Sequence, residues 1–222
     1  DKEGYTFIHP FDDEDVIAGQ GTIGLEILDQ LPDVEAVVVP VGGGGLISGI
    51  AYALKSLNPA IKVYGVQAQG AASMVTSLKE DEIVKLEEVG TIADGIKVKE
   101  PGVNTFDICK KYVDDIVTVS DDEVASAILA LIEQHKLITE GAGAVSVAAV
   151  MFNKVPVKGK NVVGGIIGTR DNALKICTVK NCGFYGSVIG EENVGGIVGE
   201  NRADGIVLTC YDKGTIVGTN EV

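Results

Sequence analysis

The sequence predicts an α/β domain on an open, mostly parallel sheet over residues 1–163, followed by a short Gly-rich β-repeat tail over residues 164–222. Three observations carry that reading. The apolar run Val34 to Val41 has the continuous hydrophobicity of a strand buried on both faces. It runs into four glycines, Gly42 to Gly45, where a helical pattern starts at Leu46-Ile47, and a second apolar run, Lys62 to Val66, follows. Strand, helix and strand over about thirty residues make a βαβ unit, which implies parallel strands. At Gly164 the texture changes to short β-branched runs punctuated by glycine.

Taken in order, Thr6-Phe7-Ile8 reads as a short strand. Asp12-Asp13-Glu14-Asp15 then places acid ahead of a helix, where it complements the N-terminal dipole. Ile17, Ile23, Ile27, Leu28 and Leu31 give that helix an apolar side. Its run Gly19-Gln20-Gly21-Thr22-Ile23-Gly24 is unusually Gly-rich, which close packing on a neighbour explains. After the glycine turn, Ile47, Ile50, Ala51, Leu54 and Leu57 keep helical spacing until Asn58-Pro59 stops the helix. Ala71 to Leu78 reads as helix, Thr91 to Ile96 as a small-residue loop, Phe106 to Tyr112 as helix and Asp115 to Val119 as strand. Ser120 and Glu123 form a capping box for the next helix. Glu140-Gly141-Ala142-Gly143-Ala144 leads into a small-residue helix, and Lys160 to Val163 begins a further core strand.

The tail contains a repeat. Val163-Gly164-Gly165-Ile166-Ile167-Gly168 matches Val194-Gly195-Gly196-Ile197-Val198-Gly199, thirty-one residues on. The stretch Cys182 to Gly190 matches Cys210 to Gly218 at an offset of twenty-eight. Strand–turn–strand repeats of this kind stack side by side in β-solenoids.

Composition narrows the function. The 222 residues carry a net charge of −14, with 45% hydrophobic and 23% charged residues, and no block of Lys or Arg. A nucleic-acid surface and an anionic membrane are both poor partners for such a chain. No apolar run approaches the ~20 residues of a membrane span. The four cysteines (Cys109, Cys177, Cys182 and Cys210) match no zinc spacing, and only His9 and His135 could join them. No metal site is expected, and a reduced, cytoplasmic state is the simplest account of the thiols. The chain starts at Asp1 without Met, so an upstream portion is expected.

The glycine turn carries the chemistry. Without Cβ atoms its backbone comes close to a ligand, its N–H groups point at it, and the helix dipole adds roughly half a positive charge. One or two glycines would suffice for a tight turn that binds nothing. A P-loop needs Gly-Lys-Ser/Thr, but Leu46 follows Gly45. A dinucleotide fingerprint needs a third glycine, but Ser48 stands there, with no acid some twenty residues on. What remains is a backbone cradle for one phosphate monoester, and pyridoxal phosphate and flavin mononucleotide are its usual occupants.

HPFDDEDVIAGQGTIGLEIL (His9–Leu28), VVVPVGGGGLISGIA (Val37–Ala51), TIADGIKV (Thr91–Val98), YVDDIVTVSDDEV (Tyr112–Val124) and EGAGAVSVAAV (Glu140–Val150) closely resemble the threonine ammonia-lyase (threonine dehydratase) family, which is similar in turn to serine racemase. The likeness runs from about Thr6 to Val163. It implies the large domain of a fold-type II enzyme with pyridoxal 5'-phosphate as cofactor, converting threonine or serine to a 2-oxo acid and ammonia. The family's phosphate loop falls on Gly42, Gly43, Gly44, Gly45 and Leu46. Its small-residue loop against the cofactor ring falls on Gly95, and an acid near the cofactor falls on Glu140. The resemblance also implies a cytoplasmic homo-oligomer.

The departures bear on catalysis. The family's Schiff-base lysine lies in a Ser-Phe-Lys-x-Arg-Gly stretch that this sequence does not contain, so no catalytic residue is assigned. Lys55, Lys97, Lys99 and Lys136, the nearest lysines in sequence, are expected on surface faces or loops. The divalent-metal acids of serine racemase would align with Gln67 and Ser73, which are poor ligands. Where a Ser-Gly-Gly-Asn motif normally follows the Val162-Val163 strand, Gly164-Gly165-Ile166-Ile167 stands. The tail from Val163 resembles GLUG-type repeats of bacterial surface proteins, so the two parts suggest different compartments. The expectation is a fragment that holds cofactor without turnover. Alternatives are a serine racemase or serine dehydratase, and a surface or interaction module carried by the tail.

Overall fold

The computed structural model describes residues 4–156 and, beyond them, the backbone of nine strand segments between 158 and 218. Contacts group the chain into two compact units, Asp1–Ala149 and Val150–Val222. No helix among the described residues is long and apolar enough to cross a membrane.

The first unit opens on helix α1 (Glu14–Gln30), capped by Asp13, whose carboxylate accepts from the N–H groups of Asp15 and Val16 at 3.0 and 3.2 Å. Strand β1 (Ala36–Pro40) leads through the glycine turn into α2 (Gly45–Leu57), and β2 (Lys62–Ala68) follows. Then come α3 (Ser73–Glu80), α4 (Val103–Tyr112), β3 (Asp115–Val119), α5 (Asp121–Ala130) and α6 (Gly141–Met151). The sheet has the order β1-β2-β3 and both pairings are parallel, with Val39 opposite Gly65 and Gly65 opposite Ile116. This is the open parallel α/β sheet that the sequence predicts.

The core joins one face of the sheet to α2, α3 and α4. Val39, Val41, Val63 and Ile116 from the strands and loops pack with Ile47, Ile50, Leu54, Met74, Phe106 and Cys109. Each fully buried aliphatic side chain among them contributes about 1.5–3 kcal/mol of burial energy. Ser120 opens α5 with both capping-box bonds in place: its hydroxyl accepts from the Glu123 N–H, and the Glu123 carboxylate accepts from the Ser120 N–H.

The contact between α1 and α2 accounts for the Gly-rich stretch. A Cβ on Gly49 would stand 2.5 Å from the backbone N of Gly21, and one on Gly21 would stand 3.2 Å from the carbonyl oxygen of Gly49. The two helices touch backbone to backbone. This contact turns Ile17, Gly21 and Gly24 inward. Ile23, expected on the apolar side, is 39% exposed as a result, whereas Leu31, 52% exposed, lies just past the end of the helix. Thr6-Phe7-Ile8 forms no strand, and Phe7 is 80% exposed.

The second unit contains β4 (Lys158–Gly164), β5 (Ile167–Arg170), β6 (Thr178–Lys180), β7 (Gly183–Phe184), β8 (Ser187–Gly195), β9 (Val198–Asn201), β10 (Ile206–Leu208), β11 (Tyr211–Asp212) and β12 (Thr215–Gly218). Every pairing among them is parallel and joins a strand to its counterpart one repeat later. Val163 faces Val194 and Ile167 faces Val198, the offset of thirty-one; Thr215 faces Ser187 and Tyr211 faces Gly183, the offset of twenty-eight. The strand at Lys160–Val163 pairs with β8 in this unit instead of joining the β1-β2-β3 sheet. Gly159 and Gly164 of β4 stand opposite Gly190 and Gly195 of β8, in the repeat register. Cys177, Cys182 and Cys210, and the repeat positions Gly165-Ile166, Gly196-Ile197, Gly186 and Gly214, lie outside the described residues.

Candidate functional site

The glycine turn leaves the C-terminal end of β1 and becomes the first turn of α2. Gly44 takes the cap position with φ +102, a left-handed conformation that a side chain would strain, and no side chain caps the helix. The first N–H groups of α2 have no partner within the helix. The carbonyl oxygens of Gly42, Gly43 and Gly44 are all taken. Gln67 Nε2 donates to the Gly42 oxygen at 3.4 Å, Thr105 Oγ1 and the Gly102 N–H donate to the Gly43 oxygen at 2.6 and 3.3 Å, and the Ser48 N–H donates to the Gly44 oxygen at 2.9 Å.

A cavity of about 430 Å³ opens on the turn. Gly42, Gly43, Gly44, Gly45 and Leu46 form one wall. Gly95, in the short 3-10 turn Asp94–Ile96, and Glu140, just ahead of α6, form another. A Cβ on Gly95 would lie 2.9 Å from Glu140 Oε1 and 3.0 Å from the Ala142 Cβ, so glycine there lets the carboxylate and the start of α6 close on the loop. All seven residues expected at the site therefore line one cavity. None of its described lining residues is cationic, so an anion there depends on backbone N–H groups and the α2 dipole.

Phe11 and Pro10 also line the cavity. Phe11 lies against the turn so closely that a Cβ on Gly43 would enter its ring, and its backbone oxygen would stand 2.9 Å from a Cβ on Gly45. The His9 ring meets Phe11 edge-on at 4.5 Å, and its Nδ1 accepts from the Asp12 N–H at 2.9 Å. Asp12 in turn caps α4, accepting from the N–H groups of Val103 and Thr105 at 2.9 and 3.1 Å. The acid run thus serves two helices: Asp13 caps α1 and Asp12 caps α4, ninety-one residues away. Phe11, which lines the cavity, and Asp12, Gln67 and Thr105, which lie behind it, were missed by sequence reasoning. The stretch His9–Asp12 carried a signal in its family match, but Gln67 and Thr105 stand one residue outside the strand and helix patterns, with nothing in the sequence to mark them.

The four lysines considered for the anchoring role stand elsewhere. Lys97, Lys99 and Lys136 are exposed, Lys99 donating to the Glu87 oxygen and Lys136 to the Glu133 oxygen. Lys55, expected at a surface, has a side chain only 13% exposed and pairs with Asp114 at 2.7 Å. A larger groove of about 900 Å³ runs along α1, α2 and α4 and shares no lining residue with the cavity at the turn.

The sequence pattern of pyridoxal-phosphate dependent enzymes matches residues 1–168. The chain belongs to this family. It is 54% identical over 187 residues to the L-threonine ammonia-lyase of Thermotoga maritima, a match covering 84% of this chain and 46% of the relative. It is 52% identical over 155 residues to the catabolic L-threonine dehydratase of Escherichia coli strain K12, covering 70% of this chain and 47% of that one. The chain spans under half the length of both. Among solved structures, the processed form of threonine deaminase isoform 2 from Solanum lycopersicum superposes with a TM-score of 0.66 at 47% identity, covering 67% of this chain and 43% of that one. Maize serine racemase superposes with a TM-score of 0.65 at 36% identity, covering 67% and 46%. A pyridoxal-phosphate dependent family fits the cavity on the residues themselves: a Cβ-free cradle at an uncapped helix N-terminus suits the cofactor's phosphate.

Proposed function

We propose that this chain holds pyridoxal 5'-phosphate by its phosphate at Gly42–Leu46, with the ring beside Gly95 and Glu140, as part of a site that deaminates threonine or serine to a 2-oxo acid and ammonia. The observation that carries the reading is the convergence of those seven residues on one cavity at the α2 N-terminus. The N–H groups of the turn and the α2 dipole bind the phosphate dianion. Phe11 and Pro10 exclude water from its flank, and Glu140 stands beside the ring as a hydrogen-bond acceptor. When bound, the cofactor supplies the electron sink for bond breaking at the α-carbon of the amino acid. The amino-acid substrate follows from the relatives' names; threonine is favoured over a serine racemase reading because the threonine enzymes are the more similar. The cavity's described lining contains no lysine, and the 222 residues alone are expected to release no ammonia from threonine.

The proposal extends to a cytoplasmic homo-oligomer, on the family's pattern, and to a GLUG-like β-repeat segment from about residue 164. The parallel pairing of strands one repeat apart supports the repeat. The test uses 4-deoxypyridoxine 5'-phosphate, which keeps the phosphate and cannot react with surface lysines. Saturable binding to the full chain, competed by inorganic phosphate and lost with 4-deoxypyridoxine lacking the phosphate, is expected. Equal binding of the two compounds would overturn the reading.

A further inference from the structure

We infer that Thr105, with Gln67, is a positioning residue that aims the anion-binding face of the glycine turn; the inference rests on the phosphate reading above and deepens it. In a trans peptide the carbonyl of one residue and the N–H of the next point in opposite directions. Pinning a carbonyl therefore aims the following N–H. Gln67 Nε2 holds the Gly42 oxygen, which turns the Gly43 N–H the other way. Thr105 Oγ1 holds the Gly43 oxygen at 2.6 Å, which turns the Gly44 N–H the other way. Both side chains are fully buried and neither lines the cavity, whereas Gly42, Gly43 and Gly44 do. The two carbonyls are thus fixed on the protein side of the turn and the two N–H groups on the cavity side.

The pins are themselves held. Thr105 Oγ1 also reaches the Gly102 oxygen at 3.2 Å, and its N–H is fixed by Asp12. Gln67 Oε1 accepts from the Val75 N–H at 2.9 Å. Four glycines have wide conformational freedom, and a turn built of them needs such outside restraint to present donors in one arrangement. Neither residue touches the ligand. Each acts through a peptide plane, and the turn's affinity for a phosphate group depends on them.

The experiment compares the full wild-type chain with Thr105→Val, which keeps the shape and removes the donor, and Thr105→Ser, which restores it. Affinity for 4-deoxypyridoxine 5'-phosphate is measured by calorimetry, and amide exchange of Gly43–Gly45 is followed by NMR in the unliganded chain. Thr105→Val is expected to weaken binding at least fivefold and to speed exchange of the Gly44 amide, while Thr105→Ser stays within twofold of wild type on both. A general loss of packing would also speed exchange throughout α4, and the serine variant separates the two. Wild-type affinity and wild-type Gly44 exchange in Thr105→Val would overturn the inference with the phosphate reading intact. No binding by the wild-type chain would overturn the phosphate reading itself, and with it the function assigned to Thr105.

Discussion

Adding one methyl group at Gly49 tests the helix contact on which the first unit is built. The new Cβ would lie 2.5 Å from the Gly21 backbone N, 2.9 Å from the Gln20 carbonyl carbon and closer still to the Ile17 oxygen. All three are backbone atoms of α1, so no side chain can swing aside. Ordinary contact begins near 3.4 Å, so the helices must part by about 1 Å along their shared seam, and overpacking of that kind costs about 2–3 kcal/mol. The gain in helix propensity, about 1 kcal/mol for glycine to alanine, offsets part of this. Gly49→Ala should therefore destabilise by about 1–2 kcal/mol, or about 2–8 °C in Tm for a chain of this size. Two controls share the chemistry and differ in space. A Cβ on Gly21 meets its nearest atom at 3.2 Å, and one on Gly19 meets nothing within 4 Å. Gly21→Ala should be close to neutral, and Gly19→Ala should stabilise by up to about 1 kcal/mol. Thermal melts followed by far-UV circular dichroism give the order. Gly49→Ala melting at or above Gly19→Ala would refute backbone contact between α1 and α2.

Two further predictions concern titratable groups. Burial raises the Asp114 pKa, but hydrogen bonds from Lys55, Lys62 and the Val63 N–H outweigh it and bring the carboxyl from 3.8 to about 2. Because the folded value is the lower one, its stabilisation is present above about pH 3.8 and is lost as pH falls toward 2. Asp114→Asn should cost on the order of 1 kcal/mol at pH 7 in denaturant titrations, and its midpoint should converge on wild type near pH 2. Burial pushes the Cys109 thiol up to about 12, with the Ser48 hydroxyl lowering it only in part. A thiol reagent at pH 8 should leave Cys109 unmodified in the native chain and label it on unfolding, as read by mass spectrometry of the peptide containing it; rapid native labelling would contradict its burial.

The elements of the first unit were legible wherever one local pattern dictated them. The apolar run into Gly42–Gly45, the βαβ spacing and the Ser120–Glu123 box each determine a short stretch by sterics and local hydrogen bonding, and each stands where the pattern places it. Tertiary contact overrode the pattern in α1. Periodicity assigned Ile23 to the buried side, yet the helix turns its glycines inward, because only they admit the backbone of α2. The cavity wall was legible through the family likeness, which linked Gly95 and Glu140 to the turn. Thr105 and Gln67 were not: a buried threonine in the first turn of a helix and a glutamine in a strand look ordinary until the fold sets them behind the glycines. Asp12 shows the same limit, since its local position suggests service to α1 and its partners belong to α4.

These misses have a common cause, and it explains how a Gly-rich turn can be a specific site. Glycine supplies room and conformational range but no preference among conformations, so the preference must come from residues distant in sequence. Here it comes from three directions: β2 through Gln67, α4 through Thr105, and the strap His9–Asp12 through Phe11. The elements that hold the turn are also held to one another. Asp12 fixes the start of α4, and the Ser48 hydroxyl donates to the Thr105 oxygen at 3.4 Å, joining α2 to α4 in the turn behind the site. The glycine contact with α1 then fixes where α2 begins its run across the sheet. A change along the α1–α2 seam moves α2, and with it the N–H groups that face the cavity. Gly49→Ala should for this reason weaken phosphate binding as well as lower the melting temperature, while Asp114→Asn, which touches neither the turn nor the seam, should lower stability at pH 7 and leave the affinity unchanged.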